Sequence, residues 1–96
     1  MIDLKKYIKD YPDFPKEGIL FHDINPLLRE HFSEVLEQME AIFSKEEWDA
    51  IDSIAGIEAR GFTLAAGLAG KLNKNIIQIR KSGKLPGKTE RISYGL

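Results

Sequence analysis

Cysteine is absent from this 96-residue chain. Neither a disulfide framework nor a thiolate metal site is therefore available. Long apolar runs are missing as well. The longest stretch without a charged residue is Gly61 to Gly70, well short of the ~20 residues needed to span a bilayer. No apolar block follows Met1, where Asp3, Lys5 and Lys6 stand instead, so no secretory signal is expected and the predicted location is the cytoplasm. The chain has neither the lysine-bearing phosphate loop of nucleoside triphosphatases nor the triple-glycine dinucleotide fingerprint. His22 and His31 are nine residues apart, which is not a recognised ligand spacing, so no protein-held metal is expected. Ser53, Ser82 and Ser93 have no histidine near them in sequence, which leaves no sign of a nucleophile–base triad.

What is present is the composition of one small folded domain: 43% hydrophobic and 30% charged residues. The net charge of −1 conceals an asymmetry. Residues 1–50 carry 6 Lys/Arg against 12 Asp/Glu, and residues 51–96 carry 8 against 3. The basic second half points to an anionic ligand. Mutual neutralisation of the two halves would give the same totals, and charge alone leaves both readings open.

In the first half, Leu4, Tyr7, Ile8 and Tyr11 recur at helical spacing and predict a short amphipathic helix over residues 3–11. Pro12 and Pro15 end it. Lys16-Glu17-Gly18 reads as a turn and Ile19-Leu20-Phe21 as a short apolar run ending at His22-Asp23. Asn25-Pro26 predicts a helix start with Asn25 as the cap. Ser33 predicts a second start, with Val35, Leu36, Met39, Ile42 and Phe43 on its core face. Ser44-Lys45-Glu46-Glu47 has capping-box spacing ahead of Trp48.

The second half is more informative. Ser53 to Ile57 is a continuous run of strand length, expected to be covered on both faces. Glu58-Ala59-Arg60-Gly61 is a tight turn, and Phe62 to Leu72 a helix with Leu64, Leu68 and Leu72 among small residues. Asn73-Lys74-Asn75 closes it before a strand at Ile76 to Ile79. Strand, helix and strand in this order predict a parallel βαβ unit. A basic, glycine- and proline-broken segment then holds Arg80, Lys81, Lys84, Lys88 and Arg91.

Ligands of open α/β sheets bind beyond the carboxyl ends of the strands. Here those ends carry Glu58-Ala59-Arg60-Gly61 and Arg80-Lys81. Arg60, the amides at the helix start and the second basic cluster could converge on a phosphate or pyrophosphate. Pairing of Arg60 with Glu58 and solvation of the lysines is the alternative that spacing leaves open. His22-Asp23 has the composition of a general-base pair and equally of a local hydrogen bond at a strand end. Nucleic acid is not expected, because the basic segment has only Tyr94 near it as a stacking residue.

Three stretches carry a resemblance to a known family. Tyr11-Pro12-Asp13-Phe14-Pro15-Lys16-Glu17-Gly18-Ile19-Leu20-Phe21-His22-Asp23-Ile24 resembles the N-terminal signature of adenine phosphoribosyltransferases. Ile57-Glu58-Ala59-Arg60-Gly61-Phe62 is similar to their pyrophosphate loop, and Ile79 to Gly87 to the opening of their flexible active-site loop. The resemblance implies an α/β chain of the type I phosphoribosyltransferase fold, a parallel sheet flanked by helices, ending after the second or third core strand. Residues 1–32 would form the base-binding part, 33–81 the start of the core and 82–96 the start of a mobile active-site loop.

The activity implied is transfer of ribose 5-phosphate from phosphoribosyl pyrophosphate to adenine, giving AMP and pyrophosphate, with magnesium carried by the phosphoribosyl pyrophosphate. By the same resemblance Ala59, Arg60, Gly61, Arg80, Lys81 and Lys84 would hold pyrophosphate, with Arg60 catalytic and Arg80 acting either within its own chain or across a dimer interface. Leu20, Phe21 and His22 would hold the base, with Phe21 stacked on the purine. A homodimer, no membrane partner and a cis or strained peptide at Ala59–Arg60 are also implied. Two departures stand out: His22 replaces the family's usual Arg or Lys, and the family's ribose-phosphate loop lies beyond residue 96. The 96 residues alone are therefore expected to be inactive. A non-catalytic module that senses phosphoribosyl pyrophosphate on the same fold is the alternative reading.

Overall fold

A computed structural model describes residues 2–93. Two compact units are formed, residues 1–43 and 44–96.

In the first unit the predicted helix over 3–11 is replaced by a 3₁₀ turn, Leu4–Tyr7, followed by strand β1, Lys9–Pro12. Asp3 Oδ1 accepts from the Lys5 amide at 3.2 Å and caps the turn. β1 pairs antiparallel with β2, Leu20–Asp23, matching Lys9 with Asp23, Asp10 with His22, Tyr11 with Phe21 and Pro12 with Leu20. Pairing with a distant strand outweighs the apolar spacing, which a single helical turn satisfies as well as two. The connection is fixed locally: the Gly18 amide, in a residue with φ +84°, donates to Asp13 Oδ1 at 2.9 Å, and the Phe14 amide donates to the Ile19 carbonyl at 3.0 Å. Phe14–Pro15 is a cis peptide.

Helix α1, Asn25–Glu40, follows at once with Pro26 in its first turn. Its cap residue is Ile24, and the Asn25 amide is met by Asp23 Oδ1 at 2.9 Å, so Asn25 is not the cap. Nor does a separate helix begin at Ser33; the helix continues across a kink at His31, with φ −138° and ψ 36°. The His31 ring packs edge-on against Tyr7, with centroids 4.2 Å apart. Its Nδ1 is buried 3.5 Å from Glu34 Oε1, in a geometry short of a hydrogen bond. Leu27, Val35 and Leu36 are buried. Ile42 and Phe43 are exposed at 70% and 45%, because the helix stops at Glu40 and they leave its apolar stripe.

The second unit opens with α2, Lys45–Asp49, whose capping box is complete: Ser44 Oγ accepts from the Glu47 amide and Glu47 Oε1 accepts from the Ser44 amide. Strand β3, Ser53–Ile57, helix α3, Arg60–Leu72, and strand β4, Asn75–Ile79, form the βαβ unit. β3 and β4 are parallel, with Ser53 beside Asn75 and Ile57 beside Ile79. α3 buries Ala65, Leu68 and Ala69. It ends on Asn73, which adopts a left-handed conformation and donates its amide to Ala69.

The strands are less covered than their apolar run predicts. Every residue of β4 is exposed, as are Ala55 and Ile57 of β3. A sheet of two strands has only one neighbour per strand, and among the described residues α3 is the helix packed on it. No helix among the described residues is long and apolar enough to cross a membrane.

The contact between β3 and α3 is set by Gly56. A Cβ built there would lie 2.6 Å from the Gly61 carbonyl oxygen and 2.8 Å from Ala65 Cβ. Gly56→Ala is expected to destabilise the chain by about 1–3 kcal/mol through overpacking. Gly70→Ala, on the same helix with nothing within 4 Å, is expected to be neutral or to stabilise by up to about 1 kcal/mol through helix propensity. Urea unfolding of the two variants beside the parent checks both signs.

Candidate functional site

The strand-end residues meet as the βαβ reading requires. Because Ile57 and Ile79 are in register, the turn after β3 and the exit from β4 lie side by side. Ala59 is the cap residue of α3, and Arg60 and Gly61 are its first two residues. Arg80 and Lys81 follow β4 directly, and a turn bond from the Lys84 amide to the Lys81 carbonyl, 3.1 Å, brings in Lys84. The turn contains a non-proline cis peptide at Glu58–Ala59, one residue before the expected Ala59–Arg60 bond.

Glu58 organises this edge. Its amide donates to the Ile79 carbonyl at 2.9 Å. Its Oε1 accepts from Arg80 Nε and from the Lys81 amide, both at 3.0 Å. The carboxylate that local spacing offers to Arg60 is thus taken by residues 22 and 23 positions away. The Arg80 guanidinium carbon also stands 5.7 Å from the centroid of the Phe62 ring, in cation–π range. The Lys81 amide and then Arg80 hold the Glu58 carboxyl below the usual glutamate range, against a smaller opposing effect of burial.

Chemically, this edge combines a helix start, which favours negative charge, with one held cationic side chain, Arg80, and further basic residues close by in Arg60 and Lys81. Such an arrangement suits a ligand with more than one anionic group. Glu58 and Phe62 were not singled out as functional in the sequence. The available signal was that Glu58 is one of only three acidic residues in the basic half.

The base-binding candidates lie on the hairpin of the first unit. Leu20 is 53% exposed. Phe21 is half-buried and meets Phe14 edge-on, with centroids 5.1 Å apart. His22 Nδ1 is 2.6 Å from Asp10 Oδ1, its cross-strand partner, so His22 is paired with Asp10 rather than with the adjacent Asp23. Asp23 is occupied at the start of α1. The Asp10 pairing depends on the hairpin register, which the sequence does not disclose. Among the described residues no group of three His, Asp or Glu side chains has the arrangement of a metal site.

No family profile matches the chain. It is 48% identical over 93 residues to adenine phosphoribosyltransferase of Hydrogenovibrio crunogenus, a match to 97% of this chain and 54% of the relative. With the enzyme of Halothermothrix orenii the identity is 50% over 97 residues, 99% of this chain and 55% of the relative. The crystal structure of adenine phosphoribosyltransferase from Thermoanaerobacter pseudethanolicus superposes with a TM-score of 0.82 at 39% identity, over 96% of this chain and 54% of that one. The Saccharomyces cerevisiae enzyme, complexed with an imino-altritol bisphosphate and adenine, gives 0.79 at 37% identity, over 90% and 53%. The chain spans about half the length of the curated relatives it matches.

A parallel βαβ unit with a charged turn at its strand ends, on this superposition, defines an α/β chain of the type I phosphoribosyltransferase fold. Within that class the chain is similar over nearly its whole length to the adenine phosphoribosyltransferases, and it aligns with about half of theirs.

The Glu58 bonds make a pH prediction with a defined sign. A carboxyl held below its unfolded pKa contributes stability above the ordinary glutamate value of about 4.3. That contribution disappears as the pH falls through the folded value. Acidification below that point is expected to lower the unfolding free energy of the parent chain more than that of Glu58→Gln. Urea unfolding of both between pH 3 and pH 7 measures the difference, and parallel curves are the contrary result.

Proposed function

We propose that this chain supplies the base-binding and pyrophosphate-binding parts of an enzyme that transfers ribose 5-phosphate from phosphoribosyl pyrophosphate to adenine, forming AMP and releasing pyrophosphate. The observation that carries this reading is the turn Glu58-Ala59-Arg60-Gly61 at the start of α3, beside Arg80 and Lys81 in the parallel register. Further support comes from the ligands complexed with two structural neighbours: adenine for the S. cerevisiae enzyme and 9-deazaadenine for the Giardia lamblia enzyme, which is 35% identical.

In the reaction the bond between the anomeric carbon and the pyrophosphate oxygen breaks, a ring nitrogen of the base takes its place on that carbon, and the proton of that nitrogen leaves to the released pyrophosphate or to water. Positive charge grows on the sugar and negative charge on the leaving pyrophosphate. Arg60, the amides of Ala59 and Gly61, Arg80, Lys81 and Lys84 would meet that negative charge. Groups fixed before the reaction stabilise developing charge without reorganising, and one such donor is worth about 3–4 kcal/mol, or 10²–10³ in rate. Phe21 would offer a ring face to the purine, Leu20 apolar cover, and the main chain through His22 hydrogen bonds to the base edge. Magnesium would enter bound to phosphoribosyl pyrophosphate as part of the substrate. A homodimer and a cytoplasmic location belong to the same reading.

Arg60→Ala is expected to weaken binding of magnesium–phosphoribosyl pyrophosphate on the order of 10²-fold, in line with loss of one charge-stabilising donor, and to leave adenine binding near the parent value. Isothermal titration of each ligand separates the two effects. Equal losses for both ligands would make Arg60 a structural residue. The 96 residues by themselves are expected to form no AMP, because positioning of the ribose phosphate, which supplies about 7–11 kcal/mol of a barrier, would need the family's later loop. A radiolabelled-adenine assay decides this, and measurable AMP would overturn it.

A further inference from the structure

Arg80 is held from two directions. Glu58 Oε1 takes its Nε at 3.0 Å, and the ring of Phe62 lies 5.7 Å under the guanidinium carbon. The hydrogen bond fixes the Nε edge of the planar group, and the ring adds a cation–π contact. The same Glu58 oxygen takes the Lys81 amide at 3.0 Å, which fixes the backbone where the basic segment leaves β4. Glu58 is only 14% exposed and Arg80 30%, so this pair is better shielded from water than an ordinary surface ion pair. Among the described residues the bond uses Nε, so Nη1 and Nη2 are the donors of the fork that a ligand would meet.

We infer that Glu58 is a positioning residue: acting through Arg80, it presets a second anion-binding element beside the start of α3, so that the edge prefers a diphosphate to a single phosphate. The inference rests on the reading of this edge as a pyrophosphate site. A long side chain ordered beforehand loses less freedom on binding than one that must be ordered by the ligand. One phosphoryl group can use the helix start with Arg60, and a second can use the Arg80 fork. A monophosphate gains little from the second element. Removing the Glu58 carboxylate would take away one negative charge, which by itself should favour anions. A loss of diphosphate affinity on its removal therefore identifies positioning rather than net charge as its role.

The test titrates magnesium pyrophosphate and inorganic phosphate into the 96-residue chain and into E58A, E58Q, R80A and E58A/R80A. E58A is expected to bind pyrophosphate about tenfold more weakly, the size of one charge-assisted hydrogen bond, with phosphate affinity unchanged or slightly raised. E58Q keeps an Oε1 acceptor and should show a smaller loss. In the R80A background E58A should cost nothing further. A parent chain that binds no pyrophosphate overturns the site reading and this inference with it. A parent that binds, with E58A as tight as the parent or equally costly with and without Arg80, overturns the inference alone. Should E58A fail to fold by circular dichroism, E58Q decides: parent-level affinity in E58Q contradicts the role.

Discussion

The lack of a side chain at Gly56 sets how closely α3 can approach β3, and the charged edge depends on that distance. The Gly61 carbonyl and the Ala65 methyl occupy the space a Cβ would need. Because strand and helix touch there, only Glu58 and Ala59 separate the last residue of β3 from the first of α3. The short connection brings the start of the helix to the carboxyl end of the strand. In parallel α/β sheets that end is where ligands collect, and a helix N-terminus there favours anions.

Electrostatics then divides the edge into residues that would meet a ligand and one that arranges them. Arg80 could swing freely at the end of β4; instead its Nε is held by Glu58, and its guanidinium lies within cation–π range of Phe62. Residues 81–93 are exposed and contain neither helix nor strand. At the start of this segment the Lys81 amide is held by Glu58, the residue at which the turn between β3 and α3 begins. The hairpin of the first unit has a looser counterpart in the Asp10–His22 pair. Both of those side chains are more than half exposed, and such pairs add little stability.

The βαβ unit was legible because its signals are local: an apolar run, small residues where helix and strand touch, and an asparagine at the helix end. The capping box at Ser44 was legible for the same reason. What was misread depends on partners far away in the chain. Leu4, Tyr7, Ile8 and Tyr11 fit a helix until Lys9–Pro12 is known to pair with Leu20–Asp23. Ser33 resembles a cap, but the helix already runs past the His31 kink. Glu58 sits two residues from Arg60 and bonds to Arg80 through a register that no local pattern reveals. The candidate residues of the pyrophosphate turn were all in the sequence; the carboxylate that ties Arg80 to that turn required the fold.

Two separate stretches of this chain would hold two ligands: residues 58–62 and 80–84 a diphosphate, and residues 20–22 a purine. Amide ¹H–¹⁵N spectra of the 96-residue chain, titrated first with magnesium pyrophosphate and then with adenine, test that division directly. Pyrophosphate is expected to move the amides of Glu58 to Phe62 together with Arg80 and Lys81, while adenine moves those of Leu20 to His22. Pyrophosphate shifts that leave residues 58–62 untouched, or identical shift patterns for the two ligands, would contradict it.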